Sequence, residues 1–101
     1  MSLSNFADLN GTKKFQARFP DLAENHFKTA QDLTLSSIGI GTYLGNWDAA
    51  TDENYTNAIE KFVESGGNVI DTAANYRFQR SERNIGAALE KLFAKGFLRD
   101  E

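Results

Sequence analysis

Two stretches of this chain repeat each other at an offset of thirty residues. Gly41 and Asp71, Thr51 and Ser81, Phe62 and Leu92, and Gly66 and Gly96 form the equivalent pairs. The first unit reads "SSIGIG" (36–41) as a short apolar strand, "TYLGNWDAA" as a loop, then a helix. Thr51 is the expected N-cap, with Asp52 and Glu53 favouring the positive end of the helix dipole. Tyr55, Ala58, Ile59, Phe62 and Val63 recur at i, i+3, i+4, i+7 and i+8, which is one face of a helix. The second unit reads "NVID" (68–71), "TAANYRFQR", then a helix capped by Ser81. Its apolar positions Ile85, Ala88, Leu89, Leu92 and Phe93 keep the same spacing. Gly66 with Gly67, and then Gly96, stop the two helices.

A strand–helix pair repeated in register dictates an α/β fold with parallel strands, because the helix carries the chain back to the starting edge. The alternative is two amphipathic helices that coincide by chance in an unrelated α/β domain. Matching caps, stripes, stops and strand ends favour the repeat. Such units build an open doubly wound sheet or a closed (β/α)8 barrel, and in both the ligand collects at the strands' carboxyl ends. A third strand is expected near residue 98, and two units leave strand edges and apolar layers uncovered. The chain therefore reads as the N-terminal piece of a longer protein.

Residues 1–35 carry less pattern. Residues 1–25 read as an irregular leader. Phe6, Phe15, Phe19 and Phe27 follow neither a helical nor a strand period, and Pro20 breaks any helix across "FPDLAEN". Around "HFKTAQDLTL" two β-prone stretches flank a polar turn, so a hairpin is expected at 26–35, covering the end opposite the site.

Composition excludes several function classes. A net charge of −3 gives no footprint for nucleic acid or an anionic membrane. With no cysteine and a single histidine, His26, neither a thiolate nor a multi-histidine metal centre can form, and no metal is expected. No apolar run approaches the roughly 18 residues of a membrane-spanning helix. "MSLSNFADLNGTKKF" lacks the regions of a signal peptide, so a cytoplasmic location is expected and "NGT" and "NYT" read as chance sequons.

"GIGTYLG" (39–45) has glycine spacing near the dinucleotide fingerprint, but no helix opens at Gly45 and no Lys-Ser or Lys-Thr follows for a phosphate loop. Asp71 ends a buried strand and Tyr76 follows five positions later. Taken alone, each has a structural reading: the carboxylate as a clip on loop amides, the phenol as a packed aromatic with a satisfied hydroxyl.

In combination, "IGIGTY", "GGNVIDTAANY" and "SERNIGAAL" resemble the aldo-keto reductase superfamily over about residues 26–101. There a glycine-threonine-aromatic ends the first barrel strand, an Asp-Thr-Ala-x-x-Tyr the second, and Ser-Glu-x-x-x-Gly opens the second helix. Gly41-Thr42-Tyr43, Asp71-Thr72-Ala73 with Tyr76, and Ser81-Glu82 with Gly86 match. The resemblance implies the N-terminal part of a (β/α)8 TIM barrel, two βα units preceded by a hairpin. It also implies NADP(H) and reduction of a small carbonyl substrate to an alcohol. Of the family's Asp, Tyr, Lys and His tetrad, Asp71 and Tyr76 are catalytic candidates, and Gly41, Thr42, Tyr43 and Asp71 are the cofactor-binding ones. The lysine and histidine would lie past Glu101; His26 precedes the barrel and is not that histidine. The aromatic after Gly-Thr is commonly Trp and here is Tyr43, while Trp47 in the same loop is a candidate for the substrate pocket. A cofactor-binding regulatory subunit, resembling the potassium-channel β-subunits, and an inactive gene remnant are the other readings. Self-association stays open as a way to hide the uncovered edges.

Overall fold

A computed structural model describes residues 6–101. In chain order the elements are α1 (Leu9–Ala17), β1 (Phe27–Ala30), β2 (Leu33–Ser36), β3 (Ile40–Gly41), α2 (Ala49–Glu64), β4 (Ile70–Asp71) and α3 (Arg80–Ala94). The architecture is mixed α/β with two small sheets, one antiparallel and one parallel. Among the described residues, no helix is long and apolar enough to cross a membrane.

The leader expected to be irregular carries a helix. Asp8, in extended conformation, caps α1 by accepting the Gly11 amide at 2.6 Å. The helix escapes a periodicity search because its buried face is Gly11, Thr12 and Phe15, with one large apolar side chain among them. Phe15, 1% exposed, is nonetheless the centre of the core. Its ring lies 5.1 Å from Phe19, 6.0 Å from Phe27 and 6.2 Å from Phe97, and it packs with Val63 and Leu92. Burying one such side chain stabilises by about 1.5–3 kcal/mol. The four phenylalanines are therefore aperiodic because three of them meet from different elements. Helix α1 ends before Pro20, as its ring geometry requires.

The hairpin lies where the polar turn placed it. Strands β1 and β2 pair antiparallel from Phe27↔Ser36 to Ala30↔Leu33, and Gln31 and Asp32 turn with φ of 51° and 59°. Ser36, expected in the first repeat's strand, belongs to this hairpin instead, so β3 shortens to Ile40–Gly41. At the amino end of the parallel strands, Asn68 accepts the Ser36 amide at 2.8 Å and donates to Thr34 O at 3.0 Å. His26 Nε2, 2.7 Å from Gly66 O, ties the same end. The hairpin thus sits at the opposite end of β3 and β4 from the loops that carry Tyr43 and Tyr76.

The repeat is realised in the strands and helix ends. Strands β3 and β4 are parallel, with Ile40↔Ile70 and Gly41↔Asp71 in register and α2 as the crossover. Both helices close with the same pair of bonds: Gly66 N to Val63 O and Gly67 N to Phe62 O in α2, Gly96 N to Phe93 O and Phe97 N to Leu92 O in α3. Gly66 and Gly96 take φ of 106° and 99°, the left-handed step that this closure needs.

The helix starts correct the expectation. Asp48, not Thr51, caps α2, accepting the Thr51 amide at 2.8 Å. Ser81 does not cap α3 but lies inside it, after Gln79 at the cap position with no side-chain bond. The buried stripes also differ, Thr56, Ile59 and Val63 in α2 against Ser81, Asn84, Ala88 and Leu92 in α3. The two helices pack on each other, so each turns a different flank toward its neighbour and the stripe rotates. The strand expected near residue 98 is a turn, with Glu101 N bonded to Leu98 O. Helix α1 holds it there: Lys14 meets Asp100 at 3.1 Å, and Arg18 grips Glu101 through two nitrogens at 2.6 and 2.8 Å.

Candidate functional site at the strand ends

Gly41 and Asp71 end the two parallel strands side by side, and the residues after them share one surface. Thr42 is fully buried and its hydroxyl donates to Asp71 O at 2.8 Å. Ser81 Oγ, also buried, donates to Thr42 O at 2.6 Å. These two bonds stitch β3 to β4 and β4's helix back to β3. A hydroxyl buried in this way is committed to the protein, so Thr42 holds its neighbours and presents no free group at the surface.

Tyr43, 66% exposed, leans edge-on against half-buried Tyr76, ring centroids 5.0 Å apart at 74°. That is a favourable aromatic arrangement, in which the positive edge of one ring meets the negative face of the other. Asp71 is exposed, and its carboxylate has no hydrogen-bond or ion-pair partner among the described residues. At Gly41 an added Cβ would meet nothing within 4 Å, so the strand end offers bare backbone. The structure therefore brings Gly41, Tyr43, Asp71 and Tyr76 to one mouth, with Thr42 beneath them. Beside it lies an open pocket of about 310 Å³ walled by Tyr43, Leu44, Trp47, Asn75, Arg77 and Phe78. Trp47 and Phe78 meet edge-on at 5.1 Å and both are largely exposed.

Sequence reasoning missed the polar cluster behind this mouth. The Arg77 side chain is 1% exposed. Its Nε donates to Asn46 O at 2.8 Å, one terminal nitrogen to Asn84 Oδ1 at 2.8 Å, and the other to Asp52 Oδ1 at 2.7 Å. The guanidinium also stacks 4.3 Å from the centre of the Tyr55 ring, and the Tyr55 hydroxyl donates to Leu44 O. Asp52 accepts from Arg80 as well, at 2.5 Å. A buried cation is tolerated only when paired and hydrogen-bonded; Arg77 is paired with Asp52 and bonded through each of its three nitrogens. The backbone there is strained: Arg77, Phe78 and Gln79 all take left-handed φ, of 49°, 55° and 69°. Each such residue costs on the order of 1 kcal/mol and persists only where its surroundings over-determine it. Contacts 25 to 31 residues apart leave no local periodicity, which is why the cluster was not visible. The one available signal was an arginine directly after Tyr76, at the repeat position equivalent to Trp47.

Residues 37–101 match the family model described as the aldo/keto reductase family, which is more than half of the chain. The chain belongs to that family. It is similar to the NADH-specific methylglyoxal reductase of Escherichia coli (strain K12), with 40% identity over 68 residues, covering 60% of this chain and 20% of that protein. The chain thus spans about a fifth of the length of the curated relative it matches. No solved structure matches it.

Proposed function

We propose that these residues form the proton-donor corner of a nicotinamide-dependent carbonyl reductase built as a (β/α)8 barrel, of which this chain supplies the first two units. The juxtaposition of Tyr43 with Tyr76, above the Thr42–Asp71 stitch, carries the reading. The residues present suit a nicotinamide dinucleotide: bare backbone at Gly41, an exposed ring at Tyr43, and an unpartnered carboxylate at Asp71 that can accept from a sugar hydroxyl. Bound there, the nicotinamide would supply hydride to the carbonyl carbon. NADP(H) is the cofactor proposed from the motifs, and the relative's printed name makes NADH the other form to test.

Each residue then has a task. Tyr76 holds, on its hydroxyl, the proton that the developing alkoxide takes. A phenol is a weak acid at neutral pH, so it needs a nearby cation to stabilise the phenolate. Asp71 would orient that cation, a lysine contributed by a later strand. Tyr43 shields one side of the Tyr76 ring and fixes its direction. The apolar cleft lined by Phe15, Ile70, Leu89, Phe93, Phe97 and Leu98 is where we place the next βα unit.

In a full-length reductase containing this segment, Tyr76→Phe should lower NADPH- or NADH-dependent carbonyl reduction by about 10²–10⁴-fold, the usual share of a general acid. Cofactor binding, followed by nicotinamide fluorescence, should persist. Turnover like the wild type would discard the assignment. Residues 1–101 alone should show no carbonyl reduction, lacking the lysine.

A further inference from the structure

Arg77 joins more of the strand-end surface than any residue of the motifs. Its three donor bonds end on the loop after β3 (Asn46 O), the first turn of α2 (Asp52) and the buried face of α3 (Asn84). Its own backbone belongs to the loop after β4, immediately past Tyr76. Stacking on Tyr55, whose hydroxyl holds Leu44 O, gives it a second grip on the first loop. Every nitrogen of the guanidinium is used, and the side chain is closed to solvent. Nothing in this arrangement is available to a substrate.

We infer that Arg77 is a positioning residue that locks the two strand-end loops into one plate, and so sets where Tyr76 and the Trp47–Phe78 wall stand. The three left-handed residues from Arg77 to Gln79 turn the chain sharply from Tyr76 into α3, without a side-chain cap on that helix. The guanidinium supplies the tertiary tie that holds the turn. With it gone, the turn relaxes, Phe78 leaves Trp47, and Tyr76 loses its fixed direction against Tyr43. The link to Tyr76 rests on the reductase reading; the link between the loops does not.

Trp47 is the sole tryptophan, so its fluorescence reports the wall directly. Arg77→Lys keeps the charge but has no planar fork, and one ammonium cannot serve Asn46, Asp52 and Asn84 at once. In the 101-residue variant, helix content by circular dichroism should stay close to wild type, because the core around Phe15, Val63 and Leu92 is built from other residues. Trp47 emission should shift to the red and acrylamide should quench it more. Should Arg77→Lys fail to fold, Asp52→Asn, which keeps the side-chain shape and removes one charged acceptor, should give the same shift. An unchanged Trp47 signal in the folded variant would overturn the clamp. In a full-length reductase, Arg77→Lys should lower kcat about 100-fold, the scale of a small misplacement, with KM for the carbonyl unchanged. Unaltered kcat would cut the link to Tyr76. Because Trp47 is read without turnover, failure of the clamp is distinguishable from failure of the reductase reading, which Tyr76→Phe decides.

Discussion

In the first βα unit the chain leaves β3 through an open loop with Leu44 and Trp47 exposed, and enters α2 at an aspartate cap. In the second it leaves β4 past Tyr76, makes three left-handed steps, and enters α3 with no side-chain cap. The units pair their strands in register and close their helices with the same bonds, yet they part company between strand and helix. Where local rules suffice, the repeat is kept. Where a long-range tie replaces a local cap, the second unit departs from the first, and Tyr76 stands at that departure. The lesson is that the strain beside the proposed proton donor lies in Arg77, Phe78 and Gln79, between the motifs, and is held by the bonds of the Arg77 guanidinium.

The largest expected contrast lies in the helices. Ala58 and Ala88 are equivalent in the repeat, but Ala58 is exposed and Ala88 fully buried. Ala88→Glu should destabilise by more than about 4 kcal/mol, since it buries an unpaired charge, whereas Ala58→Glu should stay within about 0.5 kcal/mol. Equal urea midpoints for the two variants would mean that the helices do not pack as described. A smaller contrast separates Ser81 from Thr51. Ser81→Ala leaves Thr42 O buried without its donor and should cost about 1–3 kcal/mol. Thr51→Ala, at the open start of α2, should cost less; the reverse order would dissolve the stitch between the units.

The smallest contrast is a response to acid. Hydrogen bonds from the Thr51 side chain and amide hold the Asp48 carboxyl below its ordinary value. A lowered carboxyl stabilises the fold above its ordinary value, and that support disappears as pH falls through the lowered one. No such cap exists at α3. On acidification, protection of the Thr51 amide from exchange should therefore be lost before that of Arg83, and simultaneous loss would show that the two starts are held alike.

Much of this was legible in the residues, for identifiable reasons. Glycine stops and the hairpin depend on neighbours within a few positions, and the parallel strand pairing follows the thirty-residue repeat, so spacing exposes them. Helix α1 was hidden because one phenylalanine does the packing of a whole face. The Asp48 cap was overlooked in favour of a hydroxyl three residues later, where the helix was already under way. Gly41, Tyr43, Asp71 and Tyr76 were marked by their motifs, and the structure sets Gly41 beside Asp71 and Tyr43 against Tyr76; Thr42, marked with them, lies beneath the surface. Arg77, Asp52, Asn84 and the inward hydroxyl of Ser81 act across 25 or more residues or within a buried helix face, and no local pattern marks them.

The central claim is that register between the two units delivers Tyr43 and Tyr76 to one place. Nuclear Overhauser spectroscopy on the folded 101-residue chain tests it most directly, because ring centroids 5.0 Å apart put the ring protons within range of each other. Cross-peaks between the two rings, surviving in Trp47→Phe, are the expected result. A folded chain with parallel β3–β4 contacts but no Tyr43–Tyr76 cross-peak would contradict it.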